Sequence, residues 1–133
     1  MAYSKIAGIG ELTLNYGNST NKTVLQTLDN IICFCGDITG VVCNSNTAIC
    51  KLPNTIDYPT SDISFPMSYK RGTAYYTNIF YLTTNGEIKS RTNLTQSSDI
   101  YLNGLTINLN NNFYNSTIGN NDQSQMTRPM GVS

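Results

Sequence analysis

The sequence predicts a single small all-β domain, and three observations carry that prediction. Its polar content is 18 Asn, 17 Thr and 12 Ser in 133 residues, with charged residues only 12% of the chain. Thr packs well on a pleated surface, whereas Asn and Ser favour turns because their side chains hydrogen-bond the nearby backbone. Short runs of alternating apolar and polar residues recur along the chain, two of them next to the hairpin-type pairs Asn85-Gly86 and Asn103-Gly104. Helical periodicity is absent: no window of about 11 residues keeps apolar positions at i, i+3, i+4 and i+7 without Gly, Pro or Asn interrupting it.

The elements follow in order. Ile9 to Tyr16 alternates Leu12, Leu14 and Tyr16 against Glu11, Thr13 and Asn15, as a half-buried strand does. Thr23 to Leu28 is the best helical candidate and is too short to stand alone. Ile31 to Cys35 is apolar on both faces, with Ile31, Cys33 and Cys35 on one and Ile32 and Phe34 on the other. The second face of such a strand needs a cover, so these five residues are candidates for core or for a subunit interface. Leu52-Pro53 and Tyr58-Pro59 bracket a loop, and Phe65-Pro66 is expected to end a short run from Asp62, because proline cannot donate to a ladder. Tyr75 to Thr84 reads as a strand turning at Asn85-Gly86 into Glu87 to Arg91. Ile100 to Leu102 and Leu105 to Leu109 read as a second hairpin about Asn103-Gly104. Residues 1–118 are thus expected to form one domain, with 1–10 available as an attachment segment and 119–133 a polar tail. Met126, Met130 and Val132 in that tail are candidate docking residues.

Eight basic residues balance eight acidic ones, so there is no positive field to hold nucleic acid. No apolar stretch is long enough to span a bilayer, and the start Met1-Ala2-Tyr3-Ser4-Lys5-Ile6 lacks the apolar block of a secretory leader. The expectation is a chain that is neither membrane-inserted nor exported by a cleaved leader. Sequons at Asn18, Asn21, Asn93 and Asn115 are as many as chance placement yields in so Asn-, Ser- and Thr-rich a chain.

Histidine is missing altogether, which removes Ser-His-Asp and Cys-His catalysis, imidazole base chemistry and every metal site built on His. Cys33, Cys35, Cys43 and Cys50 lack the paired knuckle spacing of a zinc site. Small buried hydrophobes is the leading reading of these thiols, with disulfides and a bent-backbone metal site as alternatives. The acids Glu11, Asp29, Asp37, Asp57, Asp62, Glu87, Asp99 and Asp122 fall mostly at turns and strand ends, where Asp is expected for backbone reasons. The expectation is therefore a non-enzyme with no catalytic residues, no metal and no cofactor. Tyr69, Tyr75 and Tyr76 flank Lys70-Arg71-Gly72 in an expected loop that offers ring faces beside donors. Tyr69, Lys70, Arg71, Tyr75 and Tyr76 are accordingly the candidate ligand-binding residues, with a sugar as the ligand.

Six features from about Asn30 to Asn110 occur in a fixed order. They are Ile31-Ile32-Cys33-Phe34-Cys35-Gly36, Thr47-Ala48-Ile49-Cys50-Lys51-Leu52-Pro53, the loop at Tyr58-Pro59, Ile63-Ser64-Phe65, Ile79 to Ile88 through Asn85-Gly86, and Ile100-Tyr101-Leu102-Asn103-Gly104-Leu105. The ordered set resembles the small β-sandwich head module of bacteriophage head and tail fibres. That resemblance implies a jelly-roll-like antiparallel β-sandwich that forms a homotrimer. It also implies a virion structural protein on the virion surface, assembled in the host cytoplasm, with capsid or tail proteins as partners and bacterial surface glycan as a ligand. A free-standing carbohydrate-binding domain is the alternative.

Overall fold

The computed structural model describes residues 6–110. They form eleven strands: β1 (Ile6–Glu11), β2 (Thr13–Leu14), β3 (Thr23–Thr27), β4 (Ile31–Phe34), β5 (Ile38–Cys43), β6 (Ala48–Lys51), β7 (Ile63–Arg71), β8 (Ala74–Leu82), β9 (Glu87–Ser90), β10 (Leu94–Ile100) and β11 (Thr106–Asn108). All pairings are antiparallel, in a four-stranded sheet of order β1-β3-β4-β11 and a seven-stranded sheet of order β2-β6-β9-β8-β7-β10-β5. The larger sheet curls until a bridge between Asn18 and Thr39 ties the chain after β2 to β5. The fold is all-β and sandwich-like, with sheets of unequal size.

One core lies between the two sheets. It takes Val24, Ile32, Phe34 and Ile107 from the small sheet and Ile38, Val41, Ile49, Phe65, Met67, Phe80, Leu82, Ile88, Leu94 and Ile100 from the large one. Strand parity therefore settles the two-faced segment: Ile32 and Phe34 are core, while Ile31, Cys33 and Cys35 are half-buried on the outer side. Cys43 and Cys50 are buried and all four thiols are free, and burial pushes the Cys50 thiol up to about 12.

Several local expectations are corrected. Thr23–Thr27 is a strand, because alternation buries Val24 and Gln26 and leaves Thr23, Leu25 and Thr27 outward; tertiary pairing overrides its weak helical pattern. The run from Ile9 to Tyr16 is broken at Leu12, where β1 ends in one sheet and β2 begins in the other. Pro66 does not end its strand: β7 continues to Arg71 with Pro66 opposite Ile79. The Ile79 carbonyl accepts from the Arg91 amide on the far side of β8, so Pro66-Ile79 is a pair without mutual hydrogen bonds. No ladder donor is lost there. The turn at Asn85-Gly86 is a hairpin as expected, its loop being Thr84 to Gly86 with Gly86 at φ 80° and the Thr83 amide donating to the Glu87 carbonyl at 2.9 Å. Asn103-Gly104, by contrast, is a crossing and not a hairpin: the turn takes the chain out of β10 in the large sheet into β11, which pairs with β4 in the small one. Of the attachment segments, Ile6 to Gly10 is part of β1, while Met126, Met130 and Val132 lie outside the described residues.

The loop between β6 and β7 fastens the two sheets together. Gly8 and Gly10 give β1 a flat inner face on which Pro53 and Thr55 lie, and the Thr55 hydroxyl donates to the Ile9 carbonyl at 2.7 Å. Buried Gln26 donates to Asp57 Oδ2 at 2.9 Å and accepts from the Asp57 amide at 2.8 Å. A side chain on Gly10 would meet Thr55 Oγ1 at 2.6 Å and the Pro53 ring at 2.7 Å. Gly10→Ala is therefore expected to cost about 1–3 kcal/mol, read as a lower urea midpoint with an unchanged slope.

The parity of β4 gives a second prediction. Phe34→Glu buries an unpaired charge, a penalty of several kcal/mol against a total stability of about 5–15 kcal/mol, and should abolish folding. Cys33→Glu places the charge on the outer side and should leave a folded monomer; circular dichroism and sedimentation of the two variants separate the outcomes.

Candidate functional site

β7 and β8 form the longest hairpin of the described residues, in register from Ile63 opposite Leu82 to Arg71 opposite Ala74. The chain reverses through Gly72-Thr73, with Gly72 at φ 60° in the first central position, where a II′ turn demands glycine. The expected loop from Tyr69 to Tyr76 is thus two strand ends and a tight turn. Its signal in the sequence is Gly72-Thr73 set between two strand-forming runs.

Pairing divides the five candidate residues between opposite faces. Tyr69 and Tyr76 face each other on the core side with rings stacked at 5.4 Å, and Tyr69 meets Phe80 edge-on at 6.3 Å. Tyr69 is buried, and its hydroxyl accepts from Asn78 Nδ2 at 2.7 Å. The Arg71 guanidinium sits 5.7 Å from the Tyr69 ring and 5.2 Å from the Tyr76 ring, and its Nε is buried with no hydrogen-bond partner. These three residues form a ladder that extends the core toward the turn, and Tyr69 is a packing residue.

Lys70 and Tyr75 lie on the outer face, where Lys70 Nζ stands 5.6 Å from the Tyr75 ring. Asp99 of β10 is directly across from Lys70, so Tyr75, Lys70 and Asp99 form a row over three strands. A second row is Thr77, Ser68 and Tyr101, with the Ser68 and Thr77 hydroxyls 3.2 Å apart and the Tyr101 amide donating to the Ser68 carbonyl at 3.1 Å. Tyr75 and Tyr101 stack at 6.3 Å and 25° across the two rows. The Tyr101 phenol is held above its ordinary range, by desolvation against this face first and then by Tyr75, Asp99 and Asp37, against an opposing pull from Lys70. The result is a platform of two aromatic rings with an ammonium, a carboxylate and two hydroxyls beside them. Tyr75 is 67% exposed, so the platform is open to a ligand. Tyr101 was not among the sequence candidates, because its place beside Tyr75 depends on β10 joining β7.

A second feature is the outer side of the small sheet. Register places Ile9, Leu25, Cys33 and Thr106 side by side across all four strands, with Ile31 in the adjoining row. Ile6 and Ile9 are 55% and 54% exposed, and Leu25, Ile31 and Cys33 are half-buried.

Acids are used locally. Asp37 Oδ1 accepts from the Asn103 amide at 2.8 Å, Asp99 Oδ1 from the Gly40 amide at 3.0 Å, and Asp57 holds Gln26. An open cleft of about 390 Å³ beside Asn18, Asn21 and Cys35 contains Asp37 as its one carboxylate, and a neighbouring cleft of about 520 Å³ contains Glu11 alone. Neither presents the facing carboxylate pair of a glycosidase. Among the described residues no group of three or more potential metal ligands converges. No family model, curated protein or solved structure matches the chain.

Ultraviolet titration of the Tyr101 phenol, isolated as the difference from Tyr101→Phe, tests the platform. Lys70→Ala should move that ionisation to higher pH, since a neighbouring cation favours the phenolate, and Tyr75→Phe should move it lower.

Proposed function

We propose that the protein is a non-enzymatic bacteriophage virion structural protein, a short trimeric fibre head or surface decoration on capsid or tail that meets host surface glycan. The observation that carries this reading is the apolar row on the outer side of the small sheet. The domain completes a core without that row, yet Ile6, Ile9, Leu25, Ile31 and Cys33 remain at the surface. An apolar stripe on a finished domain suits contact with other copies of the chain. The ordered strands that resemble a fibre head supply the virion context, and the neutral charge balance argues against nucleic acid as the partner. The Tyr75 and Tyr101 platform supplies the glycan-facing surface, since sugars stack their C–H faces on aromatic rings and hydrogen-bond to groups such as Lys70, Asp99 and Ser68.

That platform also supports the second reading, a free-standing carbohydrate-binding domain, and the two readings differ in whether the small sheet is a contact. Sedimentation at micromolar concentration should give the mass of three chains for the unsubstituted protein and of one folded chain for Ile9→Lys. A strict monomer sinks the fibre head. Glycan binding by such a monomer, lost in Tyr75→Ala, establishes the free domain instead.

A further inference from the structure

We propose that the exposed edge of β8 pairs with the same edge of a second copy, antiparallel, about a two-fold axis at Tyr76. β9 covers only Phe80 to Leu82 of β8, and the Arg91 amide takes the Ile79 carbonyl. Among the described residues, Ala74 to Thr77 has a strand neighbour on the β7 side alone, while Asn78 Nδ2 donates to Thr92 Oγ1 at 3.0 Å on the other. Backbone groups two residues apart point the same way, so those of Thr77 and Tyr75 face outward with that of Ile79.

Other edges are guarded. β11 has three residues, β1 is irregular between Ile6 and Gly8 and has its Ile9 carbonyl occupied by Thr55, and the chain after β2 is bridged to β5. β10 is irregular between Leu94 and Ser98, and β7 carries Pro66. Short strands, bulges and proline are how sheets avoid edge-to-edge pairing, and Ala74 to Asn78 has none of them and no charged residue.

The occupant is a second copy because the segment complements itself. Centred on Tyr76, antiparallel pairing sets Tyr75 against Thr77 of the other copy in hydrogen-bonded pairs, and it stops short of Asn78, whose flank Thr92 holds, and of the occupied Ile79. Tyr76 then meets its own counterpart, which joins the two Tyr69–Tyr76 stacks into one aromatic ladder. No charged residue lies on the edge itself, and the nearest charge, Arg71, lies over the Tyr76 ring from the neighbouring strand. A contact of three residues per chain, Tyr75 to Thr77, is well below the area of a stable dimer, so pairing in solution is weak. A two-fold contact cannot form among the three copies of one closed trimer, so on the fibre-head reading it joins copies of neighbouring trimers, where effective concentration strengthens it; the strength in place rests on that reading, while the pairing itself does not.

Disulfide trapping of the full chain tests the register. Residues at the axis of a pair without mutual hydrogen bonds have Cα atoms about 4.5 Å apart, within disulfide range. Tyr76→Cys, oxidised at high micromolar concentration, should give covalent dimer several-fold above the unsubstituted chain, whose half-buried Cys33 and Cys35 set the background. Thr77→Cys should not exceed that background. Adding Thr77→Pro to Tyr76→Cys should abolish trapping, because it removes an outward N–H while sparing the bonds to β7, and Thr77→Ala should preserve it. Amide exchange at Tyr75 and Thr77 of the unsubstituted chain should slow as concentration rises, which covers the case of a substituted chain that misfolds. Equal trapping at 76 and 77, trapping that survives Thr77→Pro, or exchange independent of concentration overturns the proposal. Trapping that persists in Ile9→Lys separates this contact from the small-sheet one, so either can fail alone.

Discussion

A strand shows its neighbours only every second side chain, and that constraint decides most of what this protein presents to its surroundings. In β4 it sends Ile32 and Phe34 into the core and leaves Ile31 and Cys33 outside. In the β7–β8 hairpin it sends Tyr69, Arg71 and Tyr76 to one face and Lys70 and Tyr75 to the other. A register slip of one residue in either place would exchange core for surface. Register is accordingly fixed by packing: Phe65 lies opposite Phe80 and Ile32 opposite Ile107, and all four are buried.

The two sheets contribute unequally to that core, and the difference is made up by the loop between β6 and β7. Leu52 and Ile56 fill space between the sheets, and Gln26 with Asp57 satisfies polar groups that burial would otherwise leave unpaired. Glycine is required on both surfaces the loop touches. Gly8 and Gly10 make room for Thr55 and Pro53, and Gly86 lies under the Tyr58 ring, where a Cβ would come within 2.6 Å of Cε1. The Tyr58 hydroxyl donates to the Leu52 carbonyl at 2.9 Å, so one side chain closes the loop and covers the turn between β8 and β9. This arrangement links the order of apolar and glycine residues in β1 to the geometry of a turn more than 70 residues away.

The all-β class and the strands around Ile31, Ile63 and Tyr75 were legible in the sequence because alternation and turn chemistry are local. The failures share one physical cause, which is pairing between distant segments. Thr23 to Thr27 shows no clean alternation by polarity, since Gln26 is the buried member and is satisfied chiefly by distant Asp57, with Asn30 as a further acceptor. Pro66 looks like a stop until Ile79 is seen to direct its backbone away from it. Asn103-Gly104 has hairpin composition, but Phe34 accepts from the Gly104 amide at 3.3 Å and donates to the Leu105 carbonyl at 3.2 Å, and that draws the chain across to the small sheet. The candidate site was half legible for the same reason. Tyr75 and Lys70 are close in sequence, whereas Asp99 arrives on β10 and Tyr101 directly after it.

The hairpin tip also bears on why the aromatic cluster exists. Burying Arg71 Nε without a partner costs about 1–3 kcal/mol, and contacts of a guanidinium with two tyrosine rings return about 0.5–1 kcal/mol each. The balance is near zero, so Arg71 does not hold the tip by its charge, and an aliphatic residue on the same rings would avoid the unpaired donor. What the ladder does supply is rigidity: Tyr69, Tyr76 and Arg71 pack one face of the tip. With that face fixed, Lys70 and Tyr75 on the other are held in constant relation to Tyr101. Preorganisation of this kind lowers the entropy that a surface loses on binding a ligand, which is what the role proposed for the Tyr75 and Tyr101 platform requires.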